Sequence, residues 1–477
     1  EVLPILAEDK HTRVITLYLE GVKDGRAFVE SARSTAQIKP VVAIKVGRFE
    51  SGRKAAASHT GALAGTEAAF DAAFASAGVL RAENTEELFQ WARTLAWCPL
   101  PAGNRVAVLT NAGGPGVTAA DALEQNGMRL AELSETTIAT MKEFLPPAAS
   151  LHNPVDMLAS ANENHYGKSL QALLDDPGVD AVLVISPPPP PTTTGAIVKT
   201  IIPLIQTCNK PVVFALMGNA QIAEGVSLLR AAQIPDYRFP ETAASALGAL
   251  VRYATWRRSQ PSQSKTSLKI PIQKARDIIK KAAAPKGSFL PGEITLNLME
   301  AAGIPISRME LAASEDSAVR IAVKMGYPVV MKVASGDISH KSDAGGVILD
   351  VKSDDEVREG YRQIIKRCRT YAPAAQIDGV HIQRLLPPGQ EVITGMVRDP
   401  QFGPLVMFGS GGIEVEGLKD VAFALAPLGE HDAEALIKST WAGRKLAGFR
   451  SIAPADRKAT ADTLVTLSLL AMALPEV

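Results

Sequence analysis

Cysteine is scarce in this sequence. Cys98, Cys208 and Cys368 are the three among 477 residues, and no two stand in CxxC spacing. That excludes a disulfide framework and a cysteine zinc site, and it fits a reducing cytoplasm, the expected compartment. An excess of charge of one sign is also missing. Lys+Arg and Asp+Glu number 50 each, so no basic field draws the chain to nucleic acid or to a membrane surface. Long apolar runs are absent too. The most apolar stretch, Leu464 to Leu474, is interrupted by Thr466 and Ser468 and falls short of the roughly 20 residues that a bilayer requires. No signal-peptide pattern opens the chain. No methionine opens it either, which leads to the expectation that the natural N-terminus lies upstream.

What is present is ordinary in bulk. Hydrophobic residues make up 46% and charged residues 21%, as in folded soluble domains, and the length suits about two to four of them. The most distinctive stretch is Ser58-His59-Thr60-Gly61-Ala62-Leu63-Ala64-Gly65. Small residues leave the imidazole unshielded, and glycines let backbone N–H groups approach it closely. Such a ring can act as a nucleophile and carry a phosphoryl group, for which a Gly-rich loop supplies donors. The same eight residues also read as a plain loop histidine beside a helix start.

In chain order, Val14 to Leu19 reads as a buried strand ending at Glu20-Gly21, followed by a helix from about Gly25 to Ala36. Pro40 to Lys45 reads as a second strand running into the His59 loop. Strand, helix, strand and loop form a parallel α/β unit, and chemistry gathers at the carboxyl ends of such strands. Glu20 could therefore meet His59 and fix its tautomer, or be a solvated strand-end acid. Helices Thr66–Ser76 and Thr85–Ala96 finish this unit, and Pro99 to Gly103 reads as a linker.

A second unit opens with the strand Arg105–Thr110. Asn111-Ala112-Gly113-Gly114-Pro115-Gly116 then leads into a helix, Val117–Gln125. Asn111, Gly113, Gly114 and Gly116 become candidates for holding an anion at a helix start; a tight structural turn is the alternative. The spacing matches neither a Walker A loop nor GxGxxG. Strands at Asp180–Ile185 and Pro211–Leu216, with helices between and a closing helix Ala243–Arg258, complete a doubly wound domain. Ser259 to Ser267 reads as a linker, and the basic helix Ile270–Ala284 has no evident place.

The third unit differs. Helices Gly292–Ala302 and Ser314–Met325 precede a strand, Val329 to Val333, that carries Lys332. A strand lysine can meet nucleotide phosphates as a point charge or merely snorkel from the strand end. Ser339-His340-Lys341-Ser342-Asp343-Ala344-Gly345-Gly346 places a second histidine in a polar, Gly-bearing loop. Of seven histidines, His59 and His340 alone have such settings. After a helix, Asp354–Cys368, antiparallel hairpins follow through Gly379–Leu385, Glu391–Val397 and Pro404–Phe408, ending in Gly409-Ser410-Gly411-Gly412. A strand lysine with a Gly-rich turn suggests a nucleotide clamp between two lobes.

Together these residues resemble the NDP-forming acyl-CoA synthetases, the acetate–CoA ligase (ADP-forming) group related to succinyl-CoA synthetase. The likeness runs along nearly the whole chain in family order. It implies flavodoxin-like parallel-sheet domains at 1–98 and 99–258, a linker at 259–288 and a two-lobed ATP-grasp module at 289–477. Ser58-His59-Thr60-Gly61 with Ala64-Gly65 is similar to the phosphohistidine loop, Tyr18-Leu19-Glu20-Gly21 to the strand whose glutamate supports it, and Thr110 to Gly116 to the phosphate-holding helix start. His340-Lys341-Ser342-Asp343 resembles the loop with the second phosphorylated histidine. The resemblance implies nucleotide roles for Lys332, Gln383, Leu385, Glu391, Gly409, Gly411 and Gly412. It implies ATP or ADP, Mg²⁺ and CoA as cofactor and substrates, and a homo-oligomer of small-molecule specificity. The family's CoA-binding domain and its Asp-x-Asn-Pro metal strand match nothing here, so no metal ligand is assigned. The expectation is a chain trimmed at both ends and unable to complete the ligase reaction alone. Two other readings stay open: a silent nucleotide or acyl-CoA sensor, and the ligase-like part of a protein acetyltransferase, the latter weakened by the presence of His59.

Overall fold

The computed structural model describes residues 2–48, 67–188, 192–259, 270–282, 290, 292–338, 340–412, 420–450 and 452–475. They form two compact units, Glu1–Ser264 with Asp399–Gly403, and Lys265–Arg398 with Pro404–Val477. Among the described residues no helix is long and apolar enough to cross a membrane.

The first unit begins with helix α1 (Val2–Glu8), strand β1 (Ile15–Leu19), helix α2 (Gly25–Ile38), β2 (Val41–Lys45), α3 (Glu67–Ala77), β3 (Val79–Ala82) and α4 (Thr85–Trp97). The three strands are parallel in the order β1-β2-β3. Asp24 caps α2 and Asn84 caps α4, each side chain accepting a bond from an N–H of the first turn. Residues 399–403 pack within this unit: Phe402 is fully buried with its ring 5.0 Å from that of Phe70.

A second parallel sheet continues it. In order come β4 (Arg105–Thr110), α5 (Gly113–Gln125), β5 (Arg129–Leu130), α6 (Glu135–Lys142), β6 (Val155–Asp156), α7 (Glu163–Asp175), β7 (Ala181–Ser186), α8 (Thr194–Gln206), β8 (Val212–Leu216), α9 (Ala223–Ala231), β9 (Asp236–Tyr237) and α10 (Pro240–Ser259). The strand order is β5-β4-β7-β8-β9, with the short β6 also paired to β4. Strand alternation divides the sheet between two cores. Val106 and Val108 face α5 and α10, whereas Ala107 and Leu109 face α7 and α8. Burial on both faces explains the near-continuous apolar strands at Ala181–Ser186 and Val212–Leu216.

The core on the α5 side runs on into the first sheet. Val42, Ile44, Leu88 and Trp91 belong to the same cluster as Val106, Leu183, Leu247 and Tyr253. The Tyr253 hydroxyl donates to the Ala36 carbonyl at 2.9 Å, and the Trp91 indole N–H donates to Ser245 Oγ at 3.0 Å. The prolines and glycine at 99–103 thus join two sheets that share one interior. Burial pushes the Cys98 thiol up to about 12, which makes it a packing group rather than a nucleophile.

The second unit contains α11 (Ile272–Ala282), α12 (Gly292–Ala301), β10 (Met309–Ala312), α13 (Glu315–Met325), β11 (Val329–Ala334), β12 (Val347–Val351), α14 (Asp354–Tyr371), β13 (Gly379–Arg384), β14 (Val392–Asp399), β15 (Gly403–Ser410), β16 (Val421–Leu425), α15 (Glu430–Lys438), α16 (Trp441–Leu446) and α17 (Arg457–Ala473). Strands β10-β13-β11-β12 form an antiparallel sheet. Met331, Val333, Val380 and Ile382 share a core with Val319 and Ala322 of α13 and with Val357 and Ile364 of α14. A second sheet, β14-β15-β16, packs with α15, α16 and α17. The helix that the sequence left without a place is α11. Its Ala275 packs with Leu298 of α12 and with Leu470 of α17 and the adjoining Leu474, and Arg276 donates to the Ala473 carbonyl at 3.1 Å. The apolar Leu464–Leu474 stretch is therefore a buried helix end. Flavodoxin-like parallel sheets followed by a two-sheet ATP-grasp module describe the chain.

One buried charge ties the amino ends of β4 and β7. The Asp180 carboxylate accepts bonds from the Arg105 backbone N–H at 3.0 Å and from its Nε and Nη2, both at 2.8 Å. Gly103 is glycine because a Cβ there would lie 2.3 Å from Asp180 Oδ2. The Arg105 side-chain bonds, opposed by burial, hold the Asp180 carboxyl below the usual carboxylate range. A depressed folded-state value means stability that is present above the unfolded value of about 3.9 and is lost as pH falls through the folded one. Asp180→Asn is expected to cost about 2 kcal/mol near neutral pH. The deficit should shrink as pH drops below about 4. Urea unfolding followed by tryptophan fluorescence checks both; a deficit constant down to acid pH would contradict the assignment.

Candidate functional site

In the first sheet the candidate residues stand at carboxyl ends of parallel strands. Glu20 directly follows β1 and is half-buried. Lys45 ends β2, is 2% exposed, and holds its ammonium 4.7 Å from the Phe70 ring centroid. His59 and its loop lie outside the described residues. The residues that bracket that loop are informative. Arg48 Nε and Glu67 Oε2 pair at 3.3 Å, so the chain departs and returns at one point. Arg48 also pairs with Glu83, and Arg81 pairs with Glu67 and Asp71. This ion network lies beside the ends of β2 and β3. Sequence reasoning missed it, because the partners are 10 to 35 residues apart and none stands in a motif.

The second sheet changes direction at β4. Its chain connection through α5 goes to β5 on one side, and the next long strand, β7, pairs on the other. This is the switch point at which ligands bind in doubly wound sheets. Asn111 follows β4 there, 4% exposed, with Nδ2 donating to the Pro187 carbonyl at 3.2 Å. One expectation is corrected: Gly113, Gly114 and Gly116 do not precede the helix. They are the first turn of α5, which starts at Gly113 rather than Val117. Ala112 occupies the cap position and offers no side-chain bond, so the first-turn N–H groups face outward without an intrahelical partner. A Cβ at Gly114 would meet nothing within 4 Å, whereas at Gly116 it would press on Thr110 and Pro154 at 3.2 and 3.4 Å. Gly114 thus leaves an open approach, and Gly116 permits close helix–strand packing. Asp156 stands at the same corner, its Oδ2 3.3 Å from where a Gly113 Cβ would be.

Asn153-Pro154-Val155-Asp156 has a structural job. The Asn153 side chain accepts from the Val108 N–H at 2.9 Å and donates to the Val106 and Ala131 carbonyls at 2.8 and 3.0 Å. It fills the gap on β4 between the end of β5 and the start of β6, completing the pairing that buried backbone groups require.

In the second unit, Lys332 and Gln383 lie on the face of the β11–β13 sheet opposite α13 and α14, since their neighbours Met331, Val333 and Ile382 point into the helix-packed core. Lys332 Nζ donates to Gln383 Oε1 at 2.8 Å, and Gln383 Nε2 donates to the Ser307 carbonyl at 3.0 Å. Burial, and after it the nearby Lys341 ammonium, hold Lys332 below the ordinary lysine value. Leu385 just past β13 gives its N–H to the Pro328 carbonyl at 3.0 Å.

His340 is exposed at the tip of a turn fixed at both ends, by Ile338 at 3% and Ala344 at 4% exposure. Gly345 has φ +63°, and a Cβ on Gly346 would lie 2.7 Å from Val333 Cγ1 and 2.9 Å from Cys368 Sγ. The two glycines therefore serve the seating of the turn. The Gly409–Gly412 stretch is corrected in part. Gly409 and Ser410 belong to strand β15, and a Gly409 Cβ would collide with the Asp420 carbonyl at 2.1 Å. Gly411 donates its N–H to the Glu391 carbonyl at 3.1 Å, and Gly412, at φ +64°, faces Glu391 Oε2. The described contacts thus group Lys332 with Gln383, and Glu391 with Gly411 and Gly412. Asp420 escaped sequence reasoning. Its carboxylate accepts from the N–H groups of Trp441 and Ala442 and from Ser410 Oγ, each at 2.8 Å, and so anchors the start of α16 to the end of β15.

Comparison with known proteins follows this geometry. Three family models match in series: a succinyl-CoA ligase like flavodoxin domain over residues 1–95, a Ligase-CoA domain over 106–261 and an ATP-grasp domain over 281–477. An ADP-forming acetate–CoA ligase of Archaeoglobus fulgidus is 41% identical over 475 residues, covering 100% of this chain and 68% of that protein. An ADP-forming 4-hydroxybutyrate–CoA ligase of Nitrosopumilus maritimus is 35% identical, again over 100% of this chain and 68% of its own length. Among solved structures, an acetyl-coenzyme A synthetase of Candidatus Korarchaeum cryptofilum, in complex with phosphate and ADP, is 39% identical with a TM-score of 0.52. That match covers 54% of this chain and 56% of the solved one, so the chain spans just over half of that structure. A switch-point helix start, a lysine on the sheet face opposite α13 and α14, and likeness along the whole of this chain to these ligases lead to one conclusion: the chain belongs to the NDP-forming acyl-CoA synthetase family.

Proposed function

We propose that the chain carries out the phosphoryl-relay part of the reversible reaction acyl-CoA + ADP + phosphate ⇌ carboxylic acid + CoA + ATP. The observation that carries this reading is the uncapped start of α5 at a sheet switch point, in a chain that aligns end to end with ADP-forming ligases. The domain division proposed is 1–98, 99–258, a linker at 259–288, and 289–477, supported by the change from parallel to antiparallel sheets.

Acyl-CoA and phosphate give an acyl phosphate and free CoA. A nitrogen of His59 then attacks phosphorus, the P–O bond to the acyl group breaks, the carboxylate leaves with the electron pair, and the imidazole proton passes to solvent. Glu20, at the end of the neighbouring strand, orients that ring and favours the imidazolium-like state. The first-turn N–H groups of α5, with Asn111 behind them, hold the phosphoryl oxygens against the partial positive charge of the helix start. His340 takes the group next and delivers it to a terminal oxygen of ADP. Lys332, Gln383, Leu385, Glu391, Gly411 and Gly412 form the nucleotide side. Mg²⁺ would supply charge neutralisation to the nucleotide phosphates. Among the described residues no group of three carboxylate, histidine or cysteine side chains could hold a metal ion. CoA enters as a substrate.

Two outcomes test the proposal. Incubation of the full-length protein with γ-labelled ATP should place acid-labile label on His59 and on His340. His59→Ala should lose the His59 label and keep that on His340; label on His59 undiminished in His340→Ala would defeat the relay, and loss of the His340 label in His59→Ala would reverse its order. Separately, Lys332→Met should weaken ADP binding by about 2 kcal/mol, the value of a charge-assisted bond. Calorimetry showing unchanged affinity would remove Lys332 from the site.

A further inference from the structure

The His340 turn brings a second cation to the nucleotide face. Its backbone is stacked on β11 through two hydrogen bonds in series. Gly346 donates its N–H to the Lys341 carbonyl at 2.8 Å, and the Gly346 carbonyl accepts the Val333 N–H at 2.7 Å. A Cβ at Gly346 would lie 3.0 Å from that Lys341 carbonyl oxygen, so glycine is what allows residue 341 to settle one backbone layer from residue 333. The neighbour of Val333 on β11 is Lys332, on the face opposite α13 and α14. Ile338 and Ala344, both buried in the α13–α14 core, fix the turn on either side, and Lys341 itself is half-buried.

These bonds bring the Lys341 backbone beside the strand that carries Lys332, and Lys332 is held below the ordinary lysine value by burial first and by the Lys341 ammonium after it. The groups around them do not cancel this. Lys332 is bonded to a neutral amide, Gln383. His381 is its cross-strand neighbour on β13 and Val347 on β12. Asp337 is engaged with the Gln376 N–H at 2.8 Å, Asp343 is exposed in the turn, and Arg367 adds a further cation at the base, beside Gly345. Among the described residues no carboxylate is ion-paired with either lysine. Two lysines carried on neighbouring backbone segments, with no carboxylate ion-paired to either among the described residues, make a site completed by a polyanion.

We propose that Lys341 is a second phosphate-positioning residue, which with Lys332 grips the phosphate chain of the nucleotide and the phosphoryl group passing to and from the adjacent His340. This rests on the nucleotide reading given above. Lys332 is rooted in the sheet on the nucleotide side, and Lys341 stands one residue from His340. The phosphoryl group thus keeps one cation on each side of the bond being exchanged.

The test uses the full-length protein with ADP and γ-labelled ATP as probes. Lys341→Met should raise the ADP dissociation constant about tenfold, as loss of one charge-assisted bond would, and slow labelling of His340 at least as much. Lys341→Arg should restore both nearly to the parent values. The pH midpoint for modification of Lys332 by an amine-reactive reagent should rise in Lys341→Met, a response that a purely structural role would not give. If Lys341→Met binds ADP normally and leaves the Lys332 midpoint unmoved while Lys332→Met weakens ADP, Lys341 is a bystander and the nucleotide reading survives. If neither variant affects ADP, the nucleotide reading itself fails. Lost binding with an unmoved midpoint and no rescue by arginine would show a damaged turn and would overturn the proposal. Should Lys341→Met fold poorly, Lys341→Gln removes the charge and keeps a polar side chain, and the same outcomes decide.

Discussion

Parallel strands buried on both faces leave a chain one place for chemistry: the line along which the strands end. Every interior position of β4, β7 and β8 is committed to packing. Asn111, the start of α5, Glu20 and Lys45 therefore all stand at carboxyl ends. The shared core fixes these ends in place, and the glycines around them are sorted by the same constraint. Gly114 borders open space, whereas Gly103, Gly116 and Gly409 remove a Cβ from a tight contact.

The second unit meets the same requirement differently. Its β10-β13-β11-β12 sheet packs one face against α13 and α14, and alternate residues of β11 and β13 turned to the opposite face include polar ones. Lys332 and Gln383 are among them. A neutral amide is a telling partner for a half-buried lysine. A carboxylate would have satisfied the charge within the protein and competed with any phosphate. Gln383 instead orients the ammonium and leaves its charge unspent.

Much of this was legible in the sequence because it is written in local pattern. The β-branched runs gave β4, β7, β8 and β11, and Lys332, His340 and Asn111 were visible through the residues beside them. What was not legible depended on contacts between distant segments. The start of α5 was misplaced because Gly-Gly-Pro-Gly reads as a turn, although proline suits a first helical turn and glycine is tolerated there when the site must stay open. Gly409 looked like part of a ligand loop, and only the approach of Asp420 shows it to be a strand residue. The place of α11, the Arg48–Glu67 pair and the role of Asn153 rest on partners far along the chain or on side-chain-to-backbone bonds, for which composition and periodicity carry no mark.

The continuous core beneath the two parallel sheets has an evolutionary consequence. Residues 1–98 look like a separable module, since a proline-rich linker closes them off, yet Trp91, Leu88 and Ile44 share one core with Leu247 and Tyr253. A recombination event that exchanged this segment for that of a distant relative would join two half-interiors shaped by different histories. The two sheets therefore act as one packing block. A substitution on one side of the linker is felt by the core residues on the other.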